Sequence, residues 1–359
     1  MTRESASSQP HVEHAWVVHL RDSQNIGDRI LGRGLEDLLT EQGVTTTRHH
    51  FTFGRSDGVL LRLARRLFNG SAAGVLLDRS RVLFDRHIRR PSVIFIGGGQ
   101  LLLPNRSFLH GLETWTALGR HFGAPVVLFS VGTEFPEGQR RPEVENRLEA
   151  ALHRADSVYL RDSHSVTALG SLLRQEPEVV PDVAYGMLPS MPSIARERRL
   201  LVFPTKARSA LKYGHYESVR DFLSHVSKIV LDEWKGGTFN LVEVAFSDPD
   251  DLDMGLALQS SLRGSIPPSS VEIRSPFVRE SAFVETIASS RKVISARMHP
   301  LIFAHMCGVP FRAIIRNRKL ECFHDLASCT GAASLQSQLR SVVRTLVTGL
   351  RARASVQDA

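Results

Sequence analysis

Cysteine is scarce in this chain, with three among 359 residues. Cys307, Cys322 and Cys329 are an odd number without metal-ligand spacing, so they offer neither a disulfide framework nor a zinc site. A reducing, cytoplasmic setting is the simplest expectation. Long apolar runs are also missing, since no stretch reaches the roughly 18 residues that a membrane-spanning helix needs. Met1 to His14 is polar and lacks the apolar centre of a signal peptide. The expectation is therefore a protein neither exported by that route nor threaded through a membrane. No G-x-G-x-x-G occurs, which removes the dinucleotide fingerprint. No cluster has metal-ligand spacing, and no short internal repeat is visible.

What remains is an ordinary globular composition, 42% apolar and 23% charged, long enough for two domains that each bury a core. Lys plus Arg exceed Asp plus Glu by 45 to 37, a net +8 that suits anionic partners without choosing among phosphorylated metabolites, lipid phosphates and nucleic acid.

Short apolar runs recur: AWVVHL at 15–20, SVIFI at 92–96, APVVLFSV at 124–131 and DSVYL at 156–160. Segments with helical spacing lie between them, the alternation of a parallel α/β sheet. MLPSMPSIARERR at 187–199 breaks the pattern with prolines and charge and reads as an interdomain linker. Strands then resume with LLVFPT at 200–205, FNLVEVAF at 239–246, VEI at 271–273 and FRAII at 311–315. The reading is α/β, with two Rossmann-like domains over residues 15–190 and 198–333, strand ends across an interdomain cleft, and a C-terminal helix and tail over 334–359.

Polar residues collect where strands end. Asn25, Gly27 and Asp28 follow the first strand, and Asp28 is also suited to capping the next helix. Gly97, Gly98 and Gly99 follow SVIFI, as a ligand approach or as close strand packing. Arg161 leaves a strand, where it needs an anionic partner from protein or ligand. Asp182 follows another short strand, within reach of the cleft or forming an Asx turn.

In RKVISARMHPLIFAHMCGVP, residues 291–310, a buried strand runs into a buried helix, and Arg297 and His299 interrupt the apolar sequence at the junction. Pro300 suits a first helical position there. Lys319 follows the next strand, so the three residues together read as a ligand site, against the alternative of a core histidine capping its helix. His305 lies about 240° further round the helix from His299 and reads as structural.

Taken in order, NIGD (Asn25–Asp28), Gly97–Gly99, Gly132, LRDSHS (Leu160–Ser165), Pro181–Asp182, SDPDD at 247–251 and ARMHPLIFAHMCGVP through Lys319 resemble the polysaccharide pyruvyl transferase family. The resemblance covers roughly residues 16–330. It implies a GT-B-like arrangement, with an acceptor side in the first domain and a donor side in the second. It also implies phosphoenolpyruvate as donor and transfer of its carboxyvinyl group to sugar hydroxyls as a ketal. By residue, Arg297 and His299 match the family's R-x-H, Lys319 its downstream lysine, and Arg161 and Asp182 its RD and PD segments. Asn317 departs from relatives that often carry an aromatic residue before that lysine.

On this reading Arg297, Lys319, Arg161, Asn25, Gly27 and the three glycines bind substrate, and His299, Asp28 and Asp182 share the acid–base roles, which stay unassigned among them. No cofactor or metal is expected. The implied partners are phosphoenolpyruvate and a glycan or lipid-linked saccharide, not nucleic acid. VLLRLARRLF at 59–68 adds a basic amphipathic pattern, read as an outer helix or as a contact with an inner-membrane surface. Two rival readings share the architecture: a glycosyltransferase using a nucleotide sugar, and a noncatalytic sugar- or phosphate-binding protein.

Overall fold

The computed structural model describes residues 12–53, 72–83, 89–134, 141–187, 194–235 and 237–357. Two sheets organise it. The first contains β1 (His14–His19), β2 (Thr45–His50), β3 (Val93–Leu102), β4 (Val126–Thr133), β5 (Ser157–Leu160) and β6 (Glu178–Val179), ordered β2-β1-β3-β4-β5-β6. The second contains β7 (Glu197–Phe203), β8 (Leu241–Val244), β9 (Val271–Ile273), β10 (Ser290–Ser295) and β11 (Phe311–Ala313), ordered β11-β10-β7-β8-β9. All the pairings are parallel.

Helices connect the strands. In the first domain they are α1 (Ile26–Thr40), α2 (Ala72–Leu83), α3 (Arg106–Phe122), α4 (Pro142–Leu152) and α5 (Ser163–Leu169). The second domain has α6 (Ala207–Leu211), α7 (Val219–Trp234), α8 (Leu252–Leu262), α9 (Glu280–Ala288), α10 (Met298–Met306) and α11 (Arg318–Cys329), followed by α12 (Ala332–Gln357). Among the described residues, no helix is long and apolar enough to cross a membrane.

The expected alternation is present, with three differences. β2, TTTRHH, is a half-exposed edge strand whose polar side chains hide it from a search for apolar runs. β3 continues through the glycines rather than ending before them. β7 starts inside the stretch read as linker, because Arg199 is buried against Glu243 at 2.7 Å and its charge is not a solvated run. Residues 188–193 of that stretch, and the amphipathic segment 59–68, lie outside the described residues.

Strand order reverses between β1 and β3 in one sheet and between β7 and β10 in the other, and such switch points open a crevice at the carboxyl ends of the strands. The outer face of each sheet has its own apolar cluster, around Trp16 and Trp115 in one and Phe222 and Phe246 in the other. The inner faces share a third cluster, which runs from Val17, Leu35 and Phe95 to Phe283, Leu301 and Phe303 and takes in Leu335, Leu339 and Val343 of α12. α12 returns to the first domain, where Arg340 pairs with Glu41 at 3.1 Å and Arg351 donates to the Gln42 carbonyl at 2.8 Å.

Gly98 lets α1 lie directly on β3. Its φ is 77°, and a Cβ there would stand 2.6 Å from Leu31 Cβ and 2.9 Å from Val183 Cγ1. Gly98→Ala should therefore combine left-handed strain with overpacking and lower stability by about 2–5 kcal/mol. Equilibrium denaturation reads this directly, and an unshifted midpoint would refute the packing argument.

Candidate active site

The two switch points meet face to face. Ile26 N, at the start of α1, donates to the Ser247 carbonyl across the domains at 2.8 Å. The next residue is Gly27, and a Cβ on it would fall 2.0 Å from His299 Nδ1. Gly27 is thus needed for the approach of α1 to the histidine. Asn25 caps α1, its side chain accepting from Gly27 N at 3.0 Å, so the capping role weighed for Asp28 belongs to Asn25. Asp28 sits in the first turn and accepts from Ser23 Oγ at 2.8 Å, with burial raising its pKa.

His299 lies in the first turn of α10, which starts at Met298, so Pro300 is its third residue rather than its first. The side chain caps nothing. It is 8% exposed, and its Nε2 is buried without a hydrogen-bond partner. Burial pushes the imidazole down to about 4; Lys319, Arg161 and Arg297 add to that and Asp182 opposes it. The ring is therefore neutral, with a free nitrogen, near pH 7. His305, at the far end of α10, shares a 2.7 Å hydrogen bond with Tyr185 Oη of the first domain, a structural task as expected.

Arg161 and Asp182 form a buried pair. Arg161 donates through Nη1 to Asp182 Oδ2 at 3.2 Å and through Nε to Asp162 Oδ2 at 3.3 Å. Its Nη2 is buried without a partner. Gly132 makes room for this guanidinium, since a Cβ there would lie 2.7 Å from Nη2. Asp182 also forms the Asx turn, accepting from Ala184 N at 2.9 Å. Both carboxylate oxygens of Asp182 thus have partners within the first domain. Sequence reading missed the residue that holds it. Ser130, at φ 53° inside β4, donates to the Pro181 carbonyl at 2.9 Å and accepts from Val183 N at 3.0 Å.

Arg297 differs from the expectation. It forks onto Asp251, with Nε 3.0 Å from Oδ2 and Nη2 bonded to Oδ1, and Asp248 stands 3.6 Å away. Asp251 is wholly buried and is also held by Lys206 N at 2.8 Å. The SDPDD turn thus compensates Arg297 before any ligand arrives, so Arg297 is not the free clamp pictured from sequence. Gly97, Gly98 and Gly99 are corrected too. All three are buried, beneath Leu31 and Leu35 of α1 or the Val183 turn, which makes them packing positions rather than a ligand cradle.

Lys319 is partly buried near the start of α11, with no ion pair among the described residues. Burial pushes it down to about 7, Arg161 and Arg316 lowering it further while Glu134 and Asp182 oppose. Arg316, unnoticed in the sequence, braces this segment by donating to the Ala296 carbonyl at 2.9 Å and the Ser209 carbonyl at 3.1 Å. Asn317 caps α11 by accepting from Leu320 N at 3.1 Å, which gives the departing residue a local task. Beside Lys319 a cavity of about 530 Å³ opens between the domains, bounded by Gln100, Glu134, Tyr213 and Asn317. Gln100 Nε2 and Thr205 Oγ1 are further buried polar atoms without partners. Gln100 lies near the end of β3 and Thr205 just after β7, and neither carries a further signal in the sequence.

A sequence model of the family described as polysaccharide pyruvyl transferase matches residues 25–318. No curated protein matches the chain. Among solved structures, UDP-GlcNAc 2-epimerase from Methanocaldococcus jannaschii is similar, with a TM-score of 0.53 and 10% identity over 94% of this chain and 100% of that one. S. aureus MnaA, solved with UDP, gives 0.55 and 10% over 94% and 97%. UDP-GlcNAc 2-epimerase from Neisseria meningitidis, bound to UDP-GlcNAc, gives 0.52 and 9% over 94% and 100%. At such identities the likeness is one of fold, two Rossmann-like domains in a GT-B arrangement.

The enclosure of His299 has a direct readout. In the ligand-free protein its ring protons should not titrate by NMR between about pH 5 and 8, whereas an open ring would show a midpoint near 6.5. Gly27→Ala should move the midpoint upward by forcing the ring and α1 apart. A wild-type midpoint near 6.5 would show that the histidine is hydrated.

Proposed function

The chain belongs to the polysaccharide pyruvyl transferase family, and from that premise we propose that it transfers the carboxyvinyl group of phosphoenolpyruvate to sugar hydroxyls as a ketal, releasing phosphate. The supporting observation is a set of polar groups in one electrostatic neighbourhood. His299 Nε2 and Arg161 Nη2 are buried without partners, and Lys319 has no ion pair among the described residues. Arg161 Nη2 and Lys319 are donors that an anion bearing both phosphate and carboxylate satisfies, while the free His299 nitrogen is left to accept a proton.

In this proposal Lys319 and Arg161 hold the anionic groups of the donor, while Arg297, fixed by Asp251, presents its remaining guanidinium edge. Neutral His299 takes the proton of the first attacking hydroxyl as its oxygen bonds to C2 of the donor. The methylene carbon gains a proton, for which Asp28, with its raised pKa, is the assigned donor. A second hydroxyl then displaces phosphate at C2, and its proton leaves with the phosphate. The proton taken by His299 then returns to Asp28, so the two hydroxyl protons balance the new methyl proton and the proton on the released phosphate. This proposal assigns neutralisation of the donor's charge to side chains, and on it a metal chelator should leave turnover unchanged.

His299→Ala should lower phosphate release by about 10² to 10⁴ while phosphoenolpyruvate binding survives. Lys319→Ala should weaken donor binding by about 10- to 150-fold. Free Lys319, with its pKa near 7, must be charged to bind an anion, so binding takes up a proton above that pH. Affinity should then fall by up to about tenfold per pH unit between pH 7 and 9, and Lys319→Arg should flatten that slope. Calorimetry in two buffers of different ionisation enthalpy measures the uptake. Release of a nucleotide from a nucleotide sugar, with no phosphate from phosphoenolpyruvate, would replace this reading with glycosyl transfer.

A further inference from the structure

Anion capture around His299 leaves most of the interdomain cavity without an assigned occupant, and the chemistry of its wall is distinctive. Its charges are largely compensated from within. Lys212 Nζ meets Glu134 at 2.6 Å, and Arg318 meets Glu321 at 2.6 Å. Among the described lining residues, Lys319 is the cation left without an ion pair, and it lies at the donor side. The remaining lining groups are amides, a hydroxyl, imidazoles and one phenol ring. The N-terminus of α11 faces this space, but Asn317 already accepts from one of its amides and Glu321 stands in its first turn.

A nucleoside diphosphate would meet Lys319 as the one cation not already paired among the described lining residues, while Glu134 and Glu321 in the same wall repel its phosphates. An uncharged ligand rich in hydroxyls meets no such obstacle. Two features suit it. Gln100 reaches the cavity near the end of β3, and its Nε2 is a buried donor without a partner. Tyr213 is a half-buried ring steadied by Lys212 at 5.0 Å and Arg316 at 5.9 Å, a fixed apolar surface within a polar wall. Rings of this kind pack against the C–H face of a pyranose, while amides and carboxylates bond its hydroxyls. At about 530 Å³, the space lies within the roughly 300–1,000 Å³ of small-molecule sites.

The geometry points to an uncharged saccharide, the acceptor end of a glycan, as the occupant of this cavity, with Tyr213 as its platform and Gln100 reading one hydroxyl. This assignment rests on the pyruvyl-transfer reading and names the acceptor class for it. Lys319 then marks the boundary between the donor anion and the acceptor sugar, so a hydroxyl bound beyond Gln100 is directed toward His299. Glu134, which also reaches Asn317 at 3.5 Å, joins the two walls, so a polymer enters by separating the contacts of this one carboxylate.

The test uses the full chain. Labelled wild type, Gln100→Ala, Tyr213→Ala and Tyr213→Phe are applied to an array of neutral, uronic-acid and phosphorylated glycans, with phosphoenolpyruvate affinity measured separately by calorimetry. Circular dichroism verifies that each variant is folded. Wild type should retain neutral glycans, Gln100→Ala should bind them about threefold to tenfold more weakly, and Tyr213→Ala about tenfold more weakly. Tyr213→Phe keeps the platform and should stay within about twofold, as should donor affinity in all four proteins. Preference for charged glycans, capture of no neutral glycan, or undiminished binding by Gln100→Ala and Tyr213→Ala overturns the assignment. If wild type retains neutral glycans but ignores phosphoenolpyruvate, the donor reading falls and the saccharide site stands.

Discussion

Everything at the centre of this molecule depends on the closeness of α1 to His299. One backbone hydrogen bond, Ile26 N to the Ser247 carbonyl, and one missing side chain, at Gly27, let the first domain seal a histidine carried by the second. Enclosure rather than any single charge is the largest cause of the lowered pKa. The acid–base character of His299 is thus a property of the pair of domains, and neither alone would produce it.

Charge in the cleft follows a related logic. Arg297 has Asp251, Arg161 has Asp182 and Asp162, and Lys212 has Glu134. These pairs let cations sit beside one another in a partly dry space without unfolding it, since a buried charge persists only when compensated. A short surplus is left over, the second Arg161 nitrogen and the Lys319 ammonium, beside a neutral imidazole. Affinity for an anion then comes from a few uncommitted atoms held by a scaffold that is otherwise electrically quiet.

Much of this was legible beforehand because strands in a parallel sheet announce themselves as apolar runs and ligand sites gather at their ends. Those two rules place Arg161, Asp182, His299 and Lys319 near strand ends from the sequence alone. They did not distinguish a free cation from a paired one: Arg297 looks the same in sequence either way, and only the turn at Pro249–Asp251 brings Asp251 under it. The glycines at 97–99 misled for a similar reason, since a backbone opened for a ligand and one opened for a neighbouring helix have the same sequence. Ser130, Gln100 and Thr205 were invisible because what marks them, a left-handed φ or a dry atom without a partner, exists only in three dimensions. β2 was hidden by its place at the sheet edge, where one apolar face is not required.

The course of α12 bears on how the protein comes into being. Leu335, Leu339, Val343, Val347 and Leu350 complete the apolar cluster that both inner sheet faces share. During synthesis the outer clusters can form as their own strands and helices emerge, whereas the shared one needs both sheets and α12 together. The histidine pocket lies against that same cluster, through Met298 and Leu301, so the reactive centre and the docking of α12 depend on one packing event.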